Sequence, residues 1–130
     1  FYNNKYGIRL SVGSARNHFY NNLLSNSSSY HIFTYLGTDN PDVPGTSGYM
    51  LDNAFYDNIM SLTASDAIKL KEAERTLITG NTFEDVTDLR FVNCTDTAIY
   101  GNTGDEALEE LKVVDSCFAE SSDEQYVPLC

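Results

Sequence analysis

His31 follows Tyr30 directly and lies four residues before Tyr35. A histidine beside tyrosines brings together a base and an acid for abstracting a proton next to a carboxylate. A cation that neutralises that carboxylate makes the proton easier to remove. His31, Tyr30 and Tyr35 are therefore the catalytic candidates. His18, the other histidine, directly precedes Phe19, whose side chain is expected to point inward, and is assigned to a different face and a structural role.

The cations have a pattern of their own. Arg9, Lys69, Arg90 and Lys112 each stand between two apolar residues, in Ile8-Arg9-Leu10, Ile68-Lys69-Leu70, Leu89-Arg90-Phe91 and Leu111-Lys112-Val113. In an extended strand the middle residue faces away from its neighbours. Half of the 8 basic residues in a chain of net charge −11 are thus expected in one outward stripe. Such a stripe suits a linear anionic polymer such as a polyuronate, whose carboxylates recur along its length. The competing reading is that these cations keep a sheet face soluble or pair with acids such as Asp88 and Glu110. Acidic turns such as Glu72-Ala73-Glu74 and Asp105-Glu106 offer at most weak calcium binding, since no Asp-x-Asp-x-Asp loop or glycine-rich calcium repeat is present. No cofactor is implied: the chain has no P-loop, dinucleotide fingerprint or nucleophile elbow, and no Cys/His cluster for zinc.

A repeat must position these residues. The apolar-cation-apolar signature recurs in a degraded form as Ile32-Phe33-Thr34, with steps of 24, 36, 21 and 22 residues between leading residues. A second signature alternates with it: Phe1-Tyr2-Asn3-Asn4, Phe19-Tyr20-Asn21-Asn22, Phe55-Tyr56-Asp57-Asn58, Ile78-Thr79-Gly80-Asn81 and Ile99-Tyr100-Gly101-Asn102. Each run alternates inward and outward side chains, and Asn, Asp, Gly, Ser and Thr punctuate the gaps. A period of 21 to 24 residues is too short for paired helices and fits one coil of a right-handed parallel β-helix. A leucine-rich repeat shares the period, but the chain lacks its strict Leu-x-x-Leu-x-Leu frame. Stacked coils bring like residues about 4.8 Å apart, so Asn22, Asn58, Asn81 and Asn102 are expected to form an amide ladder, with Asn4 starting it.

The expected architecture is all-β: about five coils over 1–118, with a tail at 119–130 packed over the last coil as a cap. The 36-residue step marks an inserted loop at 37–49, rich in Pro and Gly. Loops on one edge of a repeat fold often carry function, though neutral length variation is the plain alternative. Residues 105–110 read as one helical turn or a loop. The chain opens within a half coil, so the N-terminal edge is expected to be uncapped and to meet further coils or another subunit, as in a processed product or fragment.

Composition narrows the partners. With 19 acidic and 8 basic residues, nonspecific nucleic-acid binding is disfavoured. No apolar run is long enough to span a membrane as a helix. Asn26-Ser27-Ser28 and Asn93-Cys94-Thr95 are N-glycosylation acceptors, and Cys117 and Cys130 make a candidate disulfide clip beside Cys94. Together these favour a secreted protein, extracellular or in a cell wall.

Three stretches carry a family resemblance: Ser65-Asp66-Ala67-Ile68-Lys69-Leu70-Lys71-Glu72-Ala73, the run Gly80-Asn81-Thr82-Phe83-Glu84-Asp85-Val86-Thr87-Asp88-Leu89-Arg90-Phe91, and Gly101-Asn102-Thr103-Gly104-Asp105. They resemble the C-terminal β-helix coils of algal-type mannuronan C5-epimerases, within the pectin-lyase-like superfamily. Ile32-Phe33-Thr34-Tyr35-Leu36-Gly37 is similar to a segment just before those coils. The resemblance spans residues 6–118 and implies an alginate-modifying enzyme that removes and returns the C5 proton of mannuronate. Its Asp-Pro-His-Asp type catalytic motif is absent; Asp42 is the one Asp that follows Asn-Pro. Two readings follow. The chain is a segment of a polyuronate-acting enzyme, or it is a non-catalytic extracellular β-helix glycoprotein that binds polysaccharide or assembles end to end into a filament.

Overall fold

The computed structural model describes residues 1–11, 13–35, 49–104, 108–109, 111–123 and 127–130. The inserted loop, apart from Tyr49, lies outside the described residues, as do Glu110 and most of the 105–110 segment. The chain folds as an all-β solenoid whose described strands all pair in parallel, through about four full turns and a partial fifth. One sheet stacks β1 (Tyr6–Ser11), β4 (Tyr30–Tyr35), β8 (Ile68–Lys71), β12 (Leu89–Val92) and β15 (Lys112–Val114). A second stacks β2 (His18–Tyr20), β6 (Ala54–Tyr56), β10 (Leu77–Thr79), β13 (Thr97–Tyr100) and β16 (Phe118–Ser121). The third holds β3 (Leu23–Ser27), β7 (Ile59–Thr63), β11 (Thr82–Glu84) and β14 (Thr103–Gly104). A short side pairs β5 (Met50–Leu51) with β9 (Ala73–Glu74).

The register follows the repeat. Ile8 pairs with Ile32, Ile32 with Ile68 and Ile68 with Leu89, so the leading apolar residues form one buried column. Phe19, Phe55, Ile78 and Ile99 form another, with the Phe19 and Phe55 rings stacked 5.3 Å apart. Leu24, Met60 and Phe83 supply the third sheet's inward column. Each fully buried side chain of this size stabilises the stack by roughly 1.5–3 kcal/mol relative to exposure.

Each turn of the coil is made at left-handed corners, and the corner residues also stack. Asn21, Asp57, Gly80 and Gly101 share one row, Asn3, Asn26, Leu62 and Asp85 another, and Arg16, Asp52, Arg75 and Asp96 a third, all at positive φ. Asn, Asp and Gly tolerate this backbone region best. Gly80 has a second reason, because a Cβ there would collide with the Asp57 carboxylate. The third row alternates in charge, and Arg75 chelates Asp52 through Nε at 2.6 Å and Nη2 at 3.1 Å.

Between the second and third sheets runs the amide ladder. The backbone N–H and Nδ2 of Asn22 both donate to Asn58 Oδ1, at 3.0 and 3.1 Å. Asn58 donates in the same way to Asn81, and Asn81 to Asn102. The second Nδ2 proton goes to a backbone carbonyl, Phe19 for Asn58 and Phe55 for Asn81. Asp123 closes the ladder: its buried carboxylate accepts from Asn102 Nδ2 at 2.7 Å and has no N–H to pass on.

The opening tetrapeptide departs from its expected place. Tyr2 bridges to Ser25, and Phe1 O accepts from Ser25 N at 2.8 Å, so this segment lies on the third sheet and not on the Phe19 column. Asn4 is accordingly exposed and outside the ladder, which begins at Asn22. At the other end Cys117 and Cys130 are bonded. Pro128 O accepts from Phe118 N, Cys130 N donates to Phe118 O, and Val127 is buried.

Three stability measurements test this account. Asn81→Ala strands two donors of Asn58 and the Phe55 carbonyl inside the protein, and urea unfolding should show a loss of about 3 kcal/mol or more. Asn4→Ala should stay within about 0.5 kcal/mol of the parent. Reducing the Cys117–Cys130 bond, which closes a separation of 13 residues, should cost about 3 kcal/mol in the same assay.

Candidate functional site

The cationic stripe exists as a row on the outer face of the first sheet. Arg9 pairs in register with Phe33, Phe33 with Lys69, Lys69 with Arg90 and Arg90 with Lys112. Two further cations join it. Lys71 follows Lys69 outward on β8, and Lys5 precedes β1. Six of the 8 basic residues (Lys5, Arg9, Lys69, Lys71, Arg90, Lys112) therefore belong to this sheet or its lead-in. The other two, Arg16 and Arg75, sit in the alternating corner row.

The row is not uniform, because Lys69, Arg90 and Lys112 each reach back to the strand entry of the preceding coil. Lys112 Nζ meets Asp88 at 2.7 Å, and Arg90 Nε meets Asp66 at 3.0 Å. Lys69 Nζ instead meets the Tyr30 hydroxyl at 3.4 Å and lies 5.3 Å from the centre of that ring. Tyr30 belongs to a cluster with Tyr6 and Phe33, with ring centres 4.9 to 5.9 Å apart. Lys5 and Arg9 stand over the Tyr6 ring, at 5.3 and 5.8 Å. Sequence reasoning missed Lys5, Lys71, Tyr6 and Phe33. A signal was present for Tyr6, which stands two residues before Ile8 as Tyr30 does before Ile32.

His31 and Tyr30, adjacent in sequence, end on opposite sides of the wall. His31 N and Ile32 N both donate to the Ala67 carbonyl, so two residues of one coil face one residue of the next. This bulge turns His31 inward together with Ile32. A Cβ on Gly7 would stand 2.6 Å from the His31 carbonyl oxygen, so the close approach needs glycine. The imidazole has no exposed surface, and its Nδ1 pairs with Ser27 Oγ at 2.8 Å. Among the described residues Nε2 has no hydrogen-bond partner of good geometry. Burial lowers its pKa from 6.5 to about 4, with the Ser61 backbone, the smaller influence, acting the other way. A polymer on the outer face does not reach this ring. Tyr35 occupies the last position of β4; its side chain lies outside the described residues. His18 is exposed on the second sheet, edge-on to Tyr56 at 6.0 Å.

The remaining candidates lie elsewhere. Asn26 and Asn93 are exposed at left-handed corners, and Asn26 Nδ2 donates to Asn3 Oδ1. Cys94 is a buried free thiol whose pKa burial pushes up. A cleft of about 420 Å³ at the C-terminal end is lined by Asn102, Thr103, Glu109 and Asp123 among others, and by no residue of the cationic row. Among the described residues no group of three His, Cys, Asp or Glu side chains is placed to hold a metal, and no helix is long and apolar enough to cross a membrane.

Comparison with protein-family models, with curated proteins and with solved structures finds no match. The likeness to mannuronan C5-epimerases accordingly rests on the sequence motifs alone, and the structure supports the parallel β-solenoid that those motifs imply.

The enclosed His31 makes stability depend on pH. Its folded pKa lies below its unfolded value, so the unfolded chain takes up the proton first as pH falls. Stability should be unaffected by this group above pH 6.5 and should decline between 6.5 and about 4, by up to about 3 kcal/mol. A His31→Leu, Ser27→Ala double variant should lose that part of the slope when urea midpoints are compared across this range.

Proposed function

We propose that this β-solenoid binds an anionic polysaccharide along the outer face of its first sheet, without turning it over. One observation carries the reading: strand register gathers five of 8 cations of a strongly acidic chain onto one sheet, with Lys5 at its lead-in. A row of cations on coils about 4.8 Å apart presents charge in a line along the stack, as the recurring acid groups of an extended polymer require. Positive charge pooled on one face also draws a polyanion toward it while the acidic remainder repels it.

A polyuronate such as mannuronan is the preferred ligand, supported by the motifs shared with epimerase coils. Binding is preferred over turnover because the histidine read as a base is enclosed within the coil. An extracellular or cell-wall setting is supported by the Cys117–Cys130 bond and by the exposure of Asn26 and Asn93, which suits glycan attachment.

The test is retention on immobilised polymannuronate. Retention should fall steeply with added salt, and a Lys69→Glu, Arg90→Glu double variant should bind at least about tenfold more weakly. The C5 proton of the polymer should not exchange with solvent. Equal retention of parent and variant, or retention indifferent to salt, would overturn the reading.

A further inference from the structure

We infer that the cations of the row divide into two kinds: Lys5 and Lys69, held on the Tyr6–Tyr30–Phe33 cluster, contact the anionic sugar, whereas Arg90 and Lys112 lock the coils to one another. The inference rests on the binding reading above and assigns its contacts within the row.

The difference lies in what holds each cation. Asp66 is buried and Asp88 half-buried, and each holds its cation within 3.0 Å. The field of such a pair is largely cancelled at the surface. Asp66 holds Arg90 through Nε, so a ligand carboxylate that drew the guanidinium away would leave the buried Asp66 desolvated and unpaired, which is unfavourable. Lys5 and Lys69 meet aromatic rings instead, and among the described residues neither forms an ion pair. A ring face attracts an ammonium group through its quadrupole and leaves the full charge in place for an incoming anion. The long side chains are thereby oriented before the ligand arrives, so less conformational freedom is lost on binding.

The cluster also narrows the ligand class. Tyr6, Tyr30 and Phe33 are half-buried, so each keeps part of its ring in solvent. Partly exposed rings beside cations suit a pyranose that carries a carboxylate or sulfate, since its C–H face packs on an aromatic surface while its acid group meets the ammonium. A flexible polyanion without sugar rings gains only the charge.

The experiment measures binding of the full chain to polymannuronate and to polyaspartate, with thermal melting in parallel. Lys5→Gln and Lys69→Gln should each weaken polymannuronate binding about tenfold with melting little changed. Arg90→Gln and Lys112→Gln should leave binding within about threefold and lower the melting temperature by several degrees. Tyr30→Phe keeps the ring and removes the hydroxyl contact to Lys69, and it should bind within about threefold of the parent. Tyr30→Leu removes the ring and should bring polymannuronate affinity down to that for polyaspartate. Equal losses at all four cations would overturn the division while leaving the binding reading intact. Polyaspartate bound as tightly as polymannuronate by the parent would overturn the role of the rings. A parent chain that fails to bind polymannuronate would remove both the inference and the reading beneath it.

Discussion

The buried amide ladder Asn22–Asn58–Asn81–Asn102 is the constraint from which the rest of this solenoid follows. Asn58, Asn81 and Asn102 each spend both amide protons and accept two hydrogen bonds in buried positions, so each coil must sit in one register on the next. A slip by one residue would leave several of these groups unpaired inside the protein and turn the apolar columns outward. With the register held, Ile8, Ile32, Ile68 and Leu89 stack inside the wall. The residues next to them, Arg9, Phe33, Lys69 and Arg90, then stack outside it. The cationic face is a consequence of the ladder.

Much of this was legible because the fold writes one residue pattern once per coil. The columns and the outward stripe could be read from Ile8-Arg9-Leu10 and its echoes, since alternation within three residues determines which side chain is outside. Two features escaped for identifiable reasons. Phe1-Tyr2-Asn3-Asn4 matches Phe19-Tyr20-Asn21-Asn22 letter for letter, yet four residues do not encode which sheet they join; Tyr2 pairs with Ser25. Reading His31 as a base beside Tyr30 needs its ring outside, whereas a shared Ala67 carbonyl at that point inserts an extra residue and turns the ring inward. Bulges have no side-chain signature here, so only the backbone reveals them.

The diagonal contacts on the first sheet show how one geometry serves two chemistries. The position reached by each cation is the strand entry one coil back, and the residue there decides the outcome. Where it is Asp66 or Asp88, the cation is neutralised and the coils are cross-tied. Where it is Tyr30, the cation is held without being neutralised. A single substitution at a strand entry is therefore enough to convert a tie into a charged contact, with no change to the cation itself.

The left-handed corners bear on the chain's acidity. Asp57, Asp85 and Asp115 occupy corners at positive φ outside the charge-alternating row, so three of the 19 acidic residues stand where the backbone asks for a conformation first. Asn or Gly meets that request as well as Asp does. Part of this solenoid's net charge is therefore an adjustable quantity, free to drift with its surroundings while the coil geometry stays the same.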